Sequence, residues 1–181
     1  MFNTKPLILA LAIASPFFAA SSQAADAKPS VVIVHGAFAD GSDWAKVVPL
    51  LQDKGIKVTV VQNPLTSLAD DVAATQRVLN NQEGDVVLVG HSWGGTVISQ
   101  AGADEKVRGL VYVAAFAPNA GQSSGELYSG YRTAPGSSQI AADKNGFLYL
   151  TPQGMATDFA QDLPAEQTAI MTATQGPIRA A

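Results

Sequence analysis

Four short runs of β-branched and apolar residues, separated by stretches of helical period, restrict this chain more than any other feature. They are Ser30-Val31-Val32-Ile33-Val34, Lys57-Val58-Thr59-Val60-Val61, Asp85-Val86-Val87-Leu88-Val89 and the segment from Val107 to Ala115. A strand with one wet face alternates apolar and polar residues, whereas an unbroken apolar run belongs to a sheet covered on both faces, which points to parallel pairing. The intervening segments supply the covers. Trp44 to Lys54 places Trp44, Val47, Val48 and Leu51 on one side and stops at Gly55, with Pro49 marking a kink or a restart. Leu68 to Asn81 carries Leu68, Val72, Thr75 and Leu79 in register, and Gly94 to Ala103 reads as a short third helix. Strands alternating with helices at this spacing predict βαβ units and an α/β fold built on a doubly wound, mostly parallel sheet.

The two ends of the chain differ from this middle. Lys5 precedes an apolar run from Leu7 to Ala20, followed by small residues in which Ser22/Ala24 or Ala25/Ala27 match the pattern a signal peptidase reads. The run is short for a span of about 20 residues and is interrupted by Ser15-Pro16, so residues 1–24 are expected to be a cleaved secretory signal peptide rather than a stable membrane anchor. That predicts a periplasmic or secreted protein. From Pro118 to Pro152 the sequence is rich in Gly, Ser, Ala and Tyr without a period, and Thr157 to Thr174 then looks helical, with Phe159, Leu163, Ile170 and Met171 apolar. The expected organisation is therefore a signal peptide (1–24), an α/β core (25–117) and a cap or lid region (118–181).

Composition removes several function classes. The chain has no cysteine, which excludes disulfides, thiolate catalysis and Cys-ligated metal. Its net charge is −4 and no Lys/Arg block occurs, so the electrostatic footprint for nucleic acid is missing, and a small molecule is the better partner.

Chemistry is concentrated between the third strand and the following helix, where Gly90-His91-Ser92-Trp93-Gly94-Gly95 forms a Gly-x-Ser-x-Gly motif in a strand-turn-helix context. Glycines around the serine allow a tight turn that lifts the Ser92 hydroxyl above the carboxyl edge of the sheet. Upstream, His35-Gly36-Ala37-Phe38 ends the first strand. Acyl transfer needs two main-chain N–H donors for the developing oxyanion, one from the residue after the nucleophile and one from such a loop. Trp93 and Ala37 are the expected donors, with Phe38 as the alternative to Ala37. His35 suits a structural hydrogen bond that shapes the loop, and His91 suits a packing or loop-anchoring role.

The segments His35-Gly36-Ala37-Phe38-Ala39-Asp40-Gly41-Ser42, Asn63-Pro64-Leu65, Val89 to Gly95 and Val111 to Pro118 resemble a bacterial exported branch of the α/β-hydrolase superfamily related to the plant methylesterase and hydroxynitrile lyase group. The resemblance covers the expected mature chain. It implies a cofactor-free serine hydrolase with a helical cap after the fourth strand, small esters as substrates, Ser92 as nucleophile, and oxyanion donors at Ala37 and Trp93. Lyase or perhydrolase chemistry would use the same elbow.

The chain departs from that pattern in one respect. In this fold the acid and then the histidine follow the serine, yet the two histidines of this sequence, His35 and His91, both precede Ser92. Glu126, Asp143, Asp158, Asp162 and Glu166 fall in the cap-like region and read as solvated surface charge. The run Leu110 to Ala115 has the composition of an interior strand, and with nothing beyond the cap it would be left as a sheet edge. These features predict a truncated chain without its last strands, either an impaired esterase or an inert fragment or binding module.

Overall fold

The computed structural model describes residues 28–180, so the expected signal peptide lies outside the described residues. Four parallel strands, β1 (Ser30–Val34), β2 (Val58–Val61), β3 (Val86–His91) and β4 (Val107–Val113), form a sheet in the order β2-β1-β3-β4. The chain starts in the middle at β1, moves outward to β2, and crosses back to β3 on the other side. The winding thus reverses between β1 and β3, where the loops leaving the two strands diverge and a crevice opens at the carboxyl edge. His35 leaves β1 and Ser92 leaves β3 at that place.

Every residue of β1 is buried, as its unbroken apolar run requires. On one face Val32, Val34, Val86 and Leu88 pack with residues of α2 (Leu68–Asn80) and α3 (Trp93–Ala101), including Leu79, Val97 and Ile98. Fully burying side chains of this size contributes about 1.5–3 kcal/mol each. Leu68 and Val72 pack against this cluster and Thr75 and Leu79 are buried, which is the helical face expected from their spacing. Ser67 caps α2 by accepting from Asp70 N–H at 3.0 Å.

The segment expected as one helix over Trp44–Lys54 is two pieces, a 3-10 turn at Gly41–Trp44 and α1 (Val47–Gln52). Pro49 falls in the first turn of α1, where a missing N–H breaks no helical bond. The expected stop at Gly55 is present, in a left-handed conformation with φ 71°. Strand β4 ends at Val113 rather than Ala115 because Ala114 turns the chain with φ 41°. Among the described residues β4 pairs only with β3, and Leu110 to Val113 are 37–44% exposed.

Beyond Pro118 the region expected as a helical cap does contain a helix, α5 (Ala165–Thr174), preceded by the short α4 (Pro152–Gly154) and a π-helical turn over Met155–Phe159. It also contains a small antiparallel sheet that the sequence did not announce: β5 (Ile140–Ala142), β6 (Phe147–Leu150) and β7 (Ile178–Arg179). The Gln175 amide closes this unit, donating to the Leu150 carbonyl at 3.0 Å and accepting its N–H at 2.9 Å. Leu150, Met155 and Ala160 form its core together with Phe38 from the first loop, and Arg179 N–H donates to the Leu65 carbonyl at 2.8 Å. The cap region therefore rests against the carboxyl-edge loops.

Candidate active site

Ser92 occupies the bend between β3 and α3 with φ 51° and ψ −120°. A non-glycine residue held there costs about 1–3 kcal/mol and persists only where its surroundings hold it. Here its carbonyl accepts from Gly95 N–H at 3.0 Å and Phe116 N–H at 3.1 Å, while its own N–H reaches the Val113 carbonyl at 3.4 Å. A serine before a helix ordinarily caps it, but the Ser92 side chain makes no cap bond. The hydroxyl is thus left available while the main chain is fixed.

Close approach explains the glycines. A Cβ on Gly94 would run into the carbonyl of Val34, and one on Gly36 would lie 2.9 Å from the Ser92 Cβ. The start of α3 is consequently pressed onto the end of β1, and the Gly36-Ala37 loop lies directly beside Ser92. Trp93 is the first residue of α3, so its N–H belongs to the helix end that has no intrahelical acceptor. Ala37 is half-buried in the loop, followed by Phe38 in a left-handed conformation with φ 59°.

His35 is 1% exposed and fully engaged. Its Nε2 accepts from Asn63 N–H at 2.9 Å, Asn63 Nδ2 donates to the His35 carbonyl at 2.9 Å, and its Nδ1 lies 2.9 Å from the Gly36 carbonyl. This network assigns the proton to Nδ1 and leaves neither ring nitrogen free for Ser92. His91 is half-buried and lines a cavity of about 240 Å³ together with Asp43, Trp44, Phe159 and Met171. Burial holds the His91 ring below the ordinary imidazole range, partly offset by the Asp43 charge. Partial desolvation beside the cavity pushes the Asp43 carboxyl up, although the residue is exposed.

Two of the carboxylates that follow Ser92, Glu126 and Asp143, serve local turns. Glu126 Oε2 accepts from Ser123 N–H at 2.7 Å, and Asp143 Oδ1 accepts from the N–H groups of Asn145 and Phe147, both at 2.8 Å. Those bonds hold both carboxyls below their ordinary range. Among the described residues no cluster of three metal-ligating side chains occurs.

One residue at the site is not evident from any motif. Asp71, in the first turn of α2, is fully buried, and its Oδ1 accepts from Leu65 N–H while its Oδ2 accepts from the Trp93 indole Nε1–H, both at 2.7 Å. A signal existed, since Asp71 lies three residues after Leu68, four before Thr75 and eight before Leu79, on the inward stripe of the helix.

A sheet that reverses its winding beside a serine held in a strained bend is the framework of an α/β hydrolase. A sequence profile of the alpha/beta hydrolase family matches residues 31–180, and the chain belongs to that family. It is 30% identical over 164 residues to a probable hydrolase of Phoma sp., covering 78% of this chain and 64% of that protein. It is 31% identical over 115 residues to salicylic acid-binding protein 2 of Nicotiana tabacum, covering 55% of this chain and 44% of that protein. The chain thus spans less than two-thirds of the length of these relatives. Among solved structures it is similar to tomato methylketone synthase I complexed with 2-tridecanone, with TM-score 0.68, 23% identity, and coverage of 84% of this chain and 68% of that one. A pyrethroid hydrolase from Sphingobium faniae gives TM-score 0.65 at 22% identity, covering 84% of this chain and 73% of that one. At these identities the structural likenesses speak for the fold.

Proposed function

We propose that Ser92 is the nucleophile of a serine hydrolase acting on small carboxylic esters. The observation that carries the reading is the Ser92 bend, strained at φ 51°, with its main chain bound on both sides and its side chain making no cap bond. In this reading Ser92 Oγ attacks the ester carbonyl carbon and its proton passes to a base. The oxyanion is held by the Trp93 and Ala37 amides, the alcohol leaves, and water then releases the acid from the acyl-serine.

The base is the weak point. His35 has both ring nitrogens engaged, and His91 lines the cavity beside Asp43. Where neither of these rings serves as the base, binding and oxyanion stabilisation alone give a rate advantage of about 10³–10⁴ over the uncatalysed reaction. This supports an impaired esterase, and it equally favours a second reading as an inert fragment or binding module. Reaction with an alkyl fluorophosphonate decides between them. The hydrolase reading expects an adduct on Ser92 by mass spectrometry, formed much faster than on free serine, accelerated by added imidazole and absent in Ser92→Ala. A folded chain that does not react favours the inert reading.

For location we propose export, on the Lys5, Leu7–Ala20 and Ser22/Ala24 pattern. Expression in a Gram-negative host followed by fractionation should recover a chain cleaved near Ala25 from the periplasm. Recovery of the uncut chain from the cytosol would count against it.

A further inference from the structure

We propose that Asp71 is a positioning residue of the Ser92 site: through the Trp93 indole and the Leu65 main chain it fixes the first turn of α3, and with it the Trp93 amide. The inference rests on the reading of Ser92 as nucleophile and of Trp93 N–H as an oxyanion donor.

A carboxylate beginning a helix needs no burial to do its work, as the exposed Asp70 beside it shows. Asp71 is 0% exposed, and burying a carboxylate costs several kcal/mol unless its oxygens are well bound. Both oxygens are bound, at distances typical of charge-assisted hydrogen bonds, to groups that lie on other elements. One is the N–H of Leu65, a buried residue in a left-handed conformation at φ 58°, so the carboxylate holds a strained piece of loop. The other is the indole of the residue immediately after Ser92. Burial pushes the Asp71 carboxyl up, while the bonds from Trp93 and Leu65 and the nearby His35 draw it back.

The geometry joins the two amides through one short loop. Asn63 grips His35, two residues ahead of Ala37, and Leu65 is held by Asp71, which holds Trp93. Helix α3 begins at Trp93, so an indole tethered to α2 sets the rotation of that first turn against the bend. A donor displaced by about 1 Å costs on the order of a hundredfold in rate. Loss of the tether alone, with the helix still packed through Val97 and Ile98, is expected to cost about tenfold.

The test is saturation kinetics of Ser92 labelling by an alkyl fluorophosphonate with imidazole as added base, on the full chain, for wild type, Asp71→Leu, which has no acceptor, Trp93→Phe and the double variant. Melting curves report folding, and the Trp93 indole N–H is followed by NMR. Each single variant should lower the maximal labelling rate about tenfold with little change in the half-saturating concentration, and the double variant should fall no further, because both remove one tether. The indole resonance should shift in Asp71→Leu. Folded variants that label at the wild-type maximal rate, or losses that multiply in the double variant, would overturn the assignment. If Asp71→Leu does not fold, the maximal labelling rate of Trp93→Phe alone decides, by the same tenfold criterion. A wild-type chain that does not label at all overturns the nucleophile reading and the Asp71 role with it. That result is distinct from wild type labelling while the variants keep pace.

Discussion

Asn63 holds His35 at two points, donating its N–H to the ring Nε2 and its side-chain amide to the His35 carbonyl, both at 2.9 Å. A histidine beside the serine proposed as nucleophile invites the role of base, but this ring is an internal brace. His35→Ala leaves a buried N–H without an acceptor and opens a void, and we expect a loss of about 2–4 kcal/mol. His35→Gln, whose Oε1 can accept the same N–H, should recover much of that loss. Urea unfolding measures both, and Ser92 labelling by fluorophosphonate in His35→Gln should stay near the wild-type rate.

The bend itself makes a sharper prediction. Ser92 holds φ 51° and ψ −120°, a conformation open to glycine at little steric cost. Ser92→Gly should therefore stabilise the chain by about 1 kcal/mol while abolishing labelling, and Ser92→Ala should abolish labelling with no gain in stability. Comparison of the two urea midpoints separates strain from the loss of the hydroxyl.

Asp43 gives a dependence on pH with a definite sign. Asp43 is exposed at the surface, and partial desolvation, the first cause, raises its folded pKa, so the folded state binds its proton slightly more tightly than the unfolded state does. The stability it contributes is present below the unfolded value, near 3.8, and is lost as pH rises through the folded value. Asp43→Asn should consequently be more stable than wild type at neutral pH, with the advantage shrinking to nothing in acid. Denaturant midpoints at several pH values read this directly, and an advantage that grew toward acid would reverse the assignment.

The exposed side of β4 predicts self-association. Leu110, Val111, Tyr112 and Val113 lie on a strand bonded to β3 alone among the described residues. An apolar strand edge recruits other strands, and a charge placed on it blocks them. Val111→Lys should reduce concentration-dependent association in light scattering while leaving the melting temperature close to that of wild type.

The sheet was legible because Val31 to Val34 and its counterparts carry no polar alternation, and the Ser92 bend was legible because glycines stand at fixed distances from the serine on the boundary between two periods. The cap sheet was hidden. Ile140–Ala142 and Ile178–Arg179 are too short to show a period, β6 and β7 are joined by pairing across many residues, and the Gln175 amide ties β6 to the end of α5. Asp71 was hidden for another reason. The pair Asp70-Asp71 reads as the usual acidic start of a helix, and only the phase of the apolar stripe tells that the second aspartate turns inward while the first stays in water.

The short loop Asn63–Leu65 has a consequence for motion. It braces the exit of β1 through His35 and the entrance of α3 through Asp71, so neither rim can loosen without dragging on the other. Slow exchange of amide protons with solvent should then show residues 36–38 and 93–95 breathing at a shared rate, as a single cooperative unit distributed over distant stretches of sequence.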